Sequence, residues 1–557
     1  YGTPMPSTTS PFEVRKAVQR LQTEAFADRR ARMHTLHRSL IRTAHRHPFL
    51  FAMGDKRRPR MKWGGVLLSS IFLARRLRRV WDGQQMVGIL LPPSIPGALV
   101  NYAAMLAGKI PVNLNYTLSD EALASCIAQC NIQTVITTKL LLEKIPLHVP
   151  GKTTLIEEAA AHSGFGERLA ALFLWFLPGA LMERAITGKA TPLDDTATII
   201  FSSGSTGEPK GVVLSHYNVA ANIEQAGQTF MFDKDDRILG VLPFFHSFGF
   251  TVTLWLPAVY GAGVAFHPSP IDLAAIGELV RDYDVTFLLS TPTFLEKYAR
   301  RCSPEDFGSL KNVVVGAEKL PERLAQAFED RFGLRPLEGY GCTECSPIVA
   351  VNTRDFRAAG FHQVGAKRGR IGHPLPGVSV KIVDPETRTE LPPDTPGLLL
   401  VKGPNVMQGY LNNPQKTAEV LQDGWYVTGD IAAEDEDGFL TITDRLSRFS
   451  KIGGEMVPHI KVEEGLHEAI GIAEQRLVVT SVPDGKKGER LIVLHTLDAD
   501  QLSAAIEKLP TMGLPNLWLP RTNQFYFIEE LPLLGTGKLD LRRVKQLALE
   551  FSPASEV

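Results

Sequence analysis

The N-terminal part of the chain has the apolar spacing of a helix. Its apolar residues repeat every three or four positions: Val14, Val18, Leu21 and Ala25. They follow the stretch Ser10-Pro11-Phe12-Glu13, which has the form of a capping box with proline at the first helical position. The pattern predicts one long amphipathic helix from Pro11 towards Arg46, ended by Pro48.

After that helix, short apolar runs typical of buried strands alternate with helical stretches. The strand-like runs are 86–91, 134–137, 196–201, 287–289 and 313–315. Helical stretches such as 98–107 and 274–282 separate them, which is typical of parallel sheets covered by helices on both faces. From Val378 the runs are shorter and lie between turn residues, which indicates a small barrel or mixed sheet. A charged α+β segment follows Asp444.

The predicted fold is α/β with more than one domain, because 557 residues exceed what one hydrophobic core supports. We expect a large N-terminal domain of two doubly wound, mostly parallel sheets with a small β-barrel-like subdomain. A small, mobile α+β C-terminal domain follows it. The five cysteines are scattered, and Cys342-x-x-Cys345 has no second pair or histidine at zinc spacing. We therefore predict neither a disulfide framework nor a zinc site.

Charge is distributed unevenly along the chain although the net charge is zero. Residues 1–80 contain 18 Lys and Arg against 4 Asp and Glu, with basic clusters at 56–60 and 75–79. Such a segment suits an anionic surface, either phospholipid headgroups or nucleic acid, whereas a solvated helical face is the alternative for each single cluster. For the whole segment we expect peripheral contact with an anionic membrane, and no nucleic-acid partner.

The stretch 169–182, LAALFLWFLPGALM, is the nearest approach to a membrane span. It is interrupted by Pro178 and Gly179 and is shorter than the roughly 18 to 20 residues that a spanning helix needs. It suits either an ordinary buried helix, which we favour, or a segment that dips into a membrane interface. We expect no signal peptide. Because the first residue is Tyr1, we also expect the chain to be part of a longer protein.

A loop rich in glycine and hydroxyl residues follows the strand-like run that ends at Phe201. It reads SSGSTGEPKG. Glycines let the backbone approach a ligand, amides and hydroxyls donate hydrogen bonds, and lysine supplies charge, so this is the chemistry of a phosphate cradle. It is not a Walker A loop, since Pro209 stands where that pattern needs its second glycine. The candidate phosphate-binding residues are Ser202, Ser203, Gly204, Ser205, Thr206, Gly207 and Lys210.

The loop and several later motifs resemble the adenylate-forming superfamily, which includes acyl-CoA synthetases, luciferases and peptide-synthetase adenylation domains. The string SSGSTGEPKGVVLSH resembles the family signature. Further similar motifs follow in the family's order: LPFFHSFGF (242–250), VVGAEKL (314–320), EGYGCTECSP (338–347), GWYVTGDIAAEDEDGFLTITDRLSRFSKIGGEMV (424–457) and LPLLGTGKLDL (531–541). The resemblance covers about residues 50–545.

This resemblance implies a nucleotide site. The adenine-binding elements would supply Gly316, Ala317, Glu318, Glu338, Gly339, Tyr340 and Gly341. Tyr340 would stack on adenine, its alternative being a half-buried core tyrosine. Asp430 would accept from two ribose hydroxyls, Arg445 would donate to the same sugar, and Lys451 also belongs to the nucleotide-binding set.

The implied cofactors are ATP and Mg²⁺. Glu344 and Thr206 would hold Mg²⁺ beside Thr343, because Mg²⁺ prefers one or two carboxylates together with phosphate and water. His246 would stand at the mouth of the acyl pocket, its alternative being core packing. Lys538 would counter the charge that develops when a carboxylate attacks the α-phosphate and pyrophosphate leaves, its alternative being a solvated lysine. The implied catalytic residues are Lys538, His246, Thr206, Glu344 and Lys210.

In the resembled family a second half-reaction passes the acyl group from the adenylate to a thiol, after the C-terminal domain has moved. The resemblance places the hinge just after Arg445 and has Gly453-Gly454 line the pantetheine channel. The family usually has Asp or Lys at the hinge, whereas this chain has Ser447, which permits rotation but removes the charge.

The stretch FGFTVTLWLPAVYGAG after His246 is apolar with small residues, which is consistent with an aliphatic tail on the acid. A long-chain fatty acid is what the following resemblance implies. The chain most resembles the synthetase half of bacterial bifunctional 2-acylglycerophosphoethanolamine acyltransferase / acyl-[acyl-carrier-protein] synthetases. That resemblance implies acyl carrier protein as acceptor, reacylation of lysophospholipid, and the cytoplasmic face of the inner membrane. Acyl carrier proteins are generally acidic, so we expect a basic collar at the thiol entrance. Its candidates are Arg448, Lys451, Lys486, Lys487, Arg542, Arg543 and Lys545.

The domains predicted from this resemblance are a basic helical linker at 1–47, an adenylate-forming core at 48–446 and a mobile C-terminal domain at 447–557. The acyltransferase domain would be missing upstream. Its H-x4-D signature occurs only at His267…Asp272 and His495…Asp500, and we interpret both as coincidences. Two alternatives remain open: a long-chain fatty acid–CoA ligase, and a non-catalytic, membrane-bound nucleotide sensor.

Overall fold

The computed structural model describes residues 2–145, 147–161, 165–188, 190–202, 209–445, 448–453, 455–472, 474–485, 488–533 and 539–552. These residues divide into two compact units. The first contains residues 2–202, 209–380 and 401–426, and the second contains 381–400 and the described residues from 427 onwards. The first change of unit lies next to Val378, where the strand pattern of the sequence changes. The domain boundaries at 47 and 447 stay predictions.

The N-terminal segment forms two helices, Pro11–Ala27 and Leu36–Arg46, separated by a 3-10 turn at Asp28–Arg32. The first helix begins with the predicted capping box. The prediction of one continuous helix is wrong, because Met33 adopts extended backbone before the second helix begins. The break lets the second helix bury six of its eleven residues, whereas the first buries two of seventeen.

A nine-stranded sheet forms the main layer of the first unit. Its strands, in spatial order, are His373–Pro374, Ile348–Val351, Leu337–Gly341, Asn312–Val315, Phe287–Ser290, Arg237–Gly240, Gly263–Phe266, Phe51–Gly54 and Met61–Lys62. The inner pairs are parallel and the pairs at both edges are antiparallel. The predicted parallel sheet is therefore confirmed for these strands.

Two further sheets belong to the first unit. Four parallel strands form one of them: Ile110–Asn113, Met86–Ile89, Thr134–Thr137 and Lys152–Leu155. The other has three antiparallel strands: Gly409–Tyr410, Lys210–Ser215 and Thr196–Ser202. The sequence pattern places the strand before the phosphate loop among the parallel strands, and this prediction is wrong. The chain turns back after the loop and pairs with the same strand, which makes a hairpin.

Helices and a separate strand pair complete the first unit. Its remaining helices are Trp63–Val80, Ile95–Leu106, Asp120–Gln129, Lys139–Lys144, Ile156–Ala160, Phe165–Trp175, Gly179–Thr187, His216–Phe230, the π-helix Gly249–Trp255, Leu256–Tyr260, Leu273–Asp282, Pro292–Arg301, Glu322–Phe332 and Pro414–Val420. Strands Phe356–Ala358 and Phe361–Gln363 pair with each other. Helical residues such as Tyr298 and Phe328 pack with strand residues such as Leu288 in one buried core. No helix in the described parts of the chain is long and apolar enough to cross a bilayer.

The C-terminal part contains the two remaining sheets. The first consists of Ser379–Val383, Gly397–Lys402, Trp425–Glu434, Leu421–Gln422 and Leu440–Arg445, and three of these strands contain the points where the chain passes between the units. The second consists of Glu455–Pro458, Phe449–Ile452, Gly488–His495, Leu477–Asp484 and Phe525–Phe527. Helices His459–Ile470, Ala499–Lys508 and Leu541–Phe551 accompany it. The predicted barrel-like subdomain and small α+β domain correspond to these two sheets.

Candidate nucleotide and acid site

The phosphate loop is held at both ends by one antiparallel hairpin. Ser202 and Lys210 are Cα partners at the end of the pairing between their strands. The two ends of the loop therefore lie side by side, as a cradle requires. The Nζ of Lys210 lies 5.7 Å from the ring centroid of Tyr410, which places the cation beside an aromatic face.

Glu344 lies in a buried polar cluster with Tyr410. The Tyr410 hydroxyl donates a hydrogen bond of 2.9 Å to Glu344 Oε1, and Met407 N–H donates one of 2.8 Å to the Glu344 carbonyl. Only 9% of the Glu344 surface is exposed. Burial, and next the Glu344 charge, raise the pKa of Tyr410. The hydroxyl consequently stays protonated at physiological pH and serves as a donor to the carboxylate.

The motif that contains His246 and the motif that contains Glu344 lie against each other. Ser247 Oγ donates to Thr343 Oγ1 at 3.4 Å, and Thr251 Oγ1 donates to the Ser346 carbonyl at 2.7 Å. His246 itself is half-buried, and its ring centroid lies 4.7 Å from that of Phe245. The structure thus brings the predicted acid-side and metal-side motifs together through neighbouring hydroxyls.

The segment after His246 is a π-helix, Gly249–Trp255, and all seven of its residues are buried. π-Helical turns are frequent at functional sites. Phe250 and Trp255 are fully buried in the core. An acyl pocket along this segment stays a prediction.

The two predicted adenine-binding elements meet at the carboxyl ends of adjacent parallel strands. Val315 pairs with Glu338, so Gly316 comes opposite Gly339. A Cβ on Gly316 would lie 3.2 Å from the Gly339 carbonyl oxygen, a close approach that favours glycine. Ligands in open α/β sheets characteristically bind at this edge.

The backbone conformation of the two motifs predicted to bind adenine is restricted at Ala317 and Gly341. Ala317 adopts a left-handed conformation with φ of 72°, and Thr293 Oγ1 donates a 2.8 Å hydrogen bond to Glu318. A side chain at Gly341 would place its Cβ 2.2 Å from the Pro347 carbonyl oxygen. Tyr340, between these glycines, is half-buried. Close backbone contacts at the glycines on both sides of Tyr340 restrict the geometry of this strand end.

Glu338 has an unusual acidity at this edge. Its pKa is raised to about 7, mainly by burial; the charge of Lys319 opposes the rise, the Glu322 charge contributes to it, and Arg335 also opposes it. The carboxyl group therefore changes its protonation close to neutral pH. Its place in the nucleotide site is a prediction from the motif, whereas its acidity depends on the fold.

Comparison with known proteins agrees with this geometry. The family model described as AMP-binding enzyme matches residues 41–411. The chain belongs to the AMP-binding enzyme family. It is 29% identical over 495 residues to a long-chain-fatty-acid–CoA ligase from Bacillus subtilis, which covers 82% of this chain and 84% of the relative. It is 30% identical over 498 residues to a feruloyl-CoA synthase from Amycolatopsis, which covers 86% of this chain and 94% of that protein.

Solved structures show the same fold. The o-succinylbenzoate CoA synthetase of Bacillus subtilis in complex with its acyl-adenylate has a TM-score of 0.76 at 23% identity, over 91% of this chain and 97% of that one. The same enzyme with ATP and magnesium has a TM-score of 0.75, over 91% and 99%. ATP-bound MatB from Rhodopseudomonas palustris has a TM-score of 0.76 at 23% identity, over 92% and 99%. These solved structures show the fold, whereas the family match and the CoA-forming relatives support an AMP-forming acid–thiol ligase that activates its acid through an acyl-adenylate.

Within the second unit, the predicted ribose residues of the AMP-binding family lie opposite each other. Asp430 and Arg445 are Cα partners in neighbouring antiparallel strands. Asp430 is buried, and its N–H donates to Thr428 Oγ1 at 3.0 Å. Thr428 Oγ1 in turn donates to the Leu399 carbonyl at 2.9 Å. This backbone arrangement holds the Asp430 carboxylate on a rigid strand.

Several predicted residues of the family site lie outside the described residues. They are Ser203, Gly204, Ser205, Thr206, Gly207, Ser447, Gly454, Lys486, Lys487 and Lys538. The side chains of Arg445 and Lys451 also lie outside the described atoms. Their predicted roles stay predictions.

Mg²⁺ at nucleotide sites is commonly bound by one or two carboxylates together with phosphates and water, and Glu344 can supply one such carboxylate. Among the described residues, no group of three or more His, Cys, Asp or Glu side chains forms a protein-only metal cage. A single buried carboxylate with a tyrosine donor on one oxygen is consistent with a metal that takes its other ligands from phosphate and water. When bound, the metal would neutralise phosphate charge.

Sequence reasoning missed Tyr410. It stands in the short stretch Gly409-Tyr410-Leu411-Asn412, which contains no pattern that distinguishes a site residue from a core tyrosine. Its strand pairs with Lys210–Ser215, and this pairing brings it to the phosphate loop. Tyr426 also forms a hydrogen bond with Tyr410. Only tertiary pairing reveals this pair of tyrosines.

The two H-x4-D matches differ in the structure. His267 Nε2 lies 3.2 Å from Asp272 Oδ2, and Asp272 also caps the helix Leu273–Asp282. Burial lowers the pKa of His267. His495 is buried in a strand of the second unit. The first pair serves a helix start, which agrees with its interpretation as a coincidence.

Proposed function

We propose that this enzyme activates long-chain fatty acids with ATP and transfers the acyl group to a phosphopantetheine thiol. The observation that carries the proposal is the contact between Ser247 and Thr343, because it joins the acid-side motif to the motif of the buried Glu344. A fatty acid held near His246 then has its carboxylate next to the phosphate-binding residues.

The reaction has two steps. The carboxylate oxygen attacks the α-phosphorus of ATP, the bond to the bridging oxygen breaks, and pyrophosphate leaves. Lys210 and Lys538 counter the charge on the phosphoryl oxygens, and Mg²⁺ supplies further positive charge when bound. A thiolate then attacks the acyl carbon and AMP leaves.

Pyrophosphate exchange tests the acid. Purified protein is incubated with ATP, Mg²⁺ and labelled pyrophosphate, together with fatty acids of increasing length or with ferulate. We expect exchange to be strongest with long-chain acids. Ferulate is the informative competitor because one relative is a feruloyl-CoA synthase, and a preference for ferulate would refute the fatty-acid assignment.

The acceptor has two candidates. CoA is supported by the relatives that are named as long-chain-fatty-acid–CoA ligases. Acyl carrier protein, with use of the product in 2-acylglycerophosphoethanolamine reacylation, is supported by the resemblance of the chain to the synthetase half of the bifunctional enzymes. The comparisons favour CoA. Supplying palmitate, ATP and either CoA or holo-carrier protein, and identifying the thioester, decides between them.

The fold leaves fewer of the basic residues that were predicted to surround the thiol entrance available to a carrier protein. Arg448 is buried and paired with Glu463, so it is not available at the surface. Lys545 donates to Ser481 Oγ at 3.1 Å, and burial lowers its pKa. Arg542 and Arg543 are exposed at the start of the last helix. They are the described candidates for an acidic partner.

We also propose peripheral contact with the cytoplasmic face of a bacterial inner membrane. The basic character of residues 1–80 supports it, because lysine and arginine near an anionic surface each contribute about 1 kcal/mol. Binding to anionic vesicles that weakens with salt is the expected result. Equal binding to zwitterionic vesicles would contradict the electrostatic basis.

A further inference from the structure

Two short helices, Phe165–Trp175 and Gly179–Thr187, form a surface feature that we call the apolar hairpin. Phe176 N–H donates to the Phe173 carbonyl at 3.2 Å, and this tight turn precedes Pro178, which caps the second helix. Six large apolar side chains of the hairpin are exposed, with exposed fractions from 41% to 82%: Phe165, Leu169, Leu172, Phe173, Phe176 and Leu181. The prediction of an ordinary buried helix is therefore wrong. An apolar patch of this kind is characteristic of an interaction site.

The helices beneath the apolar hairpin are basic. Its first helix packs against Trp63–Val80 and its second against Leu36–Arg46. Together these four helices contain nine arginines and two glutamates. Glu167 lies 3.6 Å from Arg76, and the buried Glu183 lies 3.1 Å from His37.

The exposed charges around the hairpin are mostly positive. Exposed arginines on these helices are Arg42, Arg46, Arg75, Arg78, Arg79 and Arg184. Exposed acids lie on the next helix, Ile156–Ala160, which packs against Trp63–Val80 and carries Glu157 and Glu158. Apolar side chains with a basic surround match the headgroup and acyl layers of an anionic bilayer.

A cavity of about 710 Å³ adjoins the hairpin, and we call it the cationic cavity. Its lining contains four arginines and three histidines: Arg29, Arg32, His34, Arg42, His45, Arg46 and His47. The acid in its lining, Glu224, is paired with Arg29 at 2.8 Å. Gly179 of the hairpin also lines it, and the His45 Nε2 lies 2.8 Å from the Trp175 carbonyl oxygen. The cavity and the hairpin are thus one continuous surface.

We propose that the apolar hairpin and the cationic cavity together dock the enzyme on a bilayer that contains anionic phospholipid. The exposed phenylalanines and leucines enter the acyl region, and the cavity receives a lipid phosphate. Charge complementarity identifies the occupant, because an apolar protein partner would leave the arginines of the cavity without counter-charge. The proposal concerns a surface apart from the reaction, so it holds for either acceptor.

Vesicle partitioning tests the hairpin. The protein is mixed with vesicles of phosphatidylcholine alone or with about 25 mol % phosphatidylglycerol, and the bound fraction is measured by flotation. We expect Phe173→Ser with Phe176→Ser to lower the partition coefficient at least about tenfold, because two large aromatic side chains lose their burial in lipid. The matched control is Phe356→Ser with Phe361→Ser, whose side chains are similarly exposed on a strand hairpin. The control should bind as the parent does.

Arginine variants test the cavity. Arg42→Gln with Arg46→Gln should remove most of the preference for phosphatidylglycerol, a loss of several-fold or more. Arg300→Gln with Arg301→Gln, in the last turn of the helix Pro292–Arg301, is the control and should keep the preference. Pyrophosphate exchange with a soluble acid should be unchanged in all four variants, which shows that they fold.

The fluorescence of Trp175 reports how deeply the apolar hairpin enters the bilayer. Lipids brominated in the acyl chain should quench tryptophan fluorescence of the parent, and the quenching should be lost in Trp175→Phe. Equal vesicle binding by the Phe173/Phe176 variant and the parent would overturn the proposal, as would absence of binding by the parent. Concentration-dependent dimerisation that the same variant abolishes, without vesicle binding, would instead assign the face to a second copy of the chain.

Discussion

The raised pKa of Glu338 makes a prediction about stability and pH. Burial raises this pKa from 4.5 to about 7, so the folded enzyme holds a proton here that the unfolded chain has already released. Between these pH values the folded state binds more protons, and the stability contribution of the group falls as pH rises. Glu338→Gln removes the ionisation while keeping the shape of the side chain. We expect the variant to be more stable than the parent at pH 8 and equal to it near pH 4.5.

The size of the effect follows from the shift. A pKa raised from 4.5 to about 7 corresponds to roughly 3 kcal/mol for a fully buried group. The Glu338 side chain is half-buried, and solvent screening reduces the value. We therefore expect a gain of roughly 1 to 2 kcal/mol in the free energy of unfolding at pH 8.

Urea unfolding at a series of pH values measures this difference. The difference between variant and parent should rise from zero near pH 4.5 to a plateau above pH 7. Glu322→Gln is a second perturbation, because the Glu322 charge raises the pKa of Glu338. In this background the plateau should be lower and should begin at lower pH, because the folded-state pKa of Glu338 falls while the pKa of the unfolded chain is unchanged. A difference that is independent of pH, or that falls as pH rises, would refute the assignment of the proton to Glu338.

Three further predictions concern catalysis and partner choice. Lys538→Ala should slow adenylate formation by about 10² to 10³ while thioester formation from supplied acyl-adenylate survives, and equal loss of both steps would remove its assigned role. Tyr410→Phe should weaken pyrophosphate exchange by about ten- to a hundredfold, because a hydrogen bond to the buried carboxylate beside it is worth about 1.5–3 kcal/mol; the buried control Tyr298→Phe should lose stability but keep the exchange rate. Arg542→Glu with Arg543→Glu should raise the KM for carrier protein several-fold and leave the KM for CoA unchanged, unless the carrier docks elsewhere.

Much of the fold could be predicted from the sequence. The runs at 134–137 and 313–315 lie in strands with nearly the predicted limits, because continuous apolar runs are buried on both faces of a parallel sheet. The order of motifs predicted the family, and the pairing of Val315 with Glu338 shows that the two motifs predicted to bind adenine lie on adjacent strands. Glu344 was predicted from its motif, and the structure adds its buried tyrosine donor.

The sequence by itself determined the local elements, the order of the motifs and the family. The tertiary structure decided which residues from distant strands meet, as Tyr410 and Lys210 do, and which apolar faces stay uncovered. Periodicity shows that one side of a helix is apolar, but it does not show what lies against that side. For this reason the same kind of pattern gave a buried helix at 36–46 and an exposed hairpin at 165–187. Likewise, an arginine in a charged segment can be paired and buried, as Arg448 is, because its partner Glu463 is brought to it by the fold.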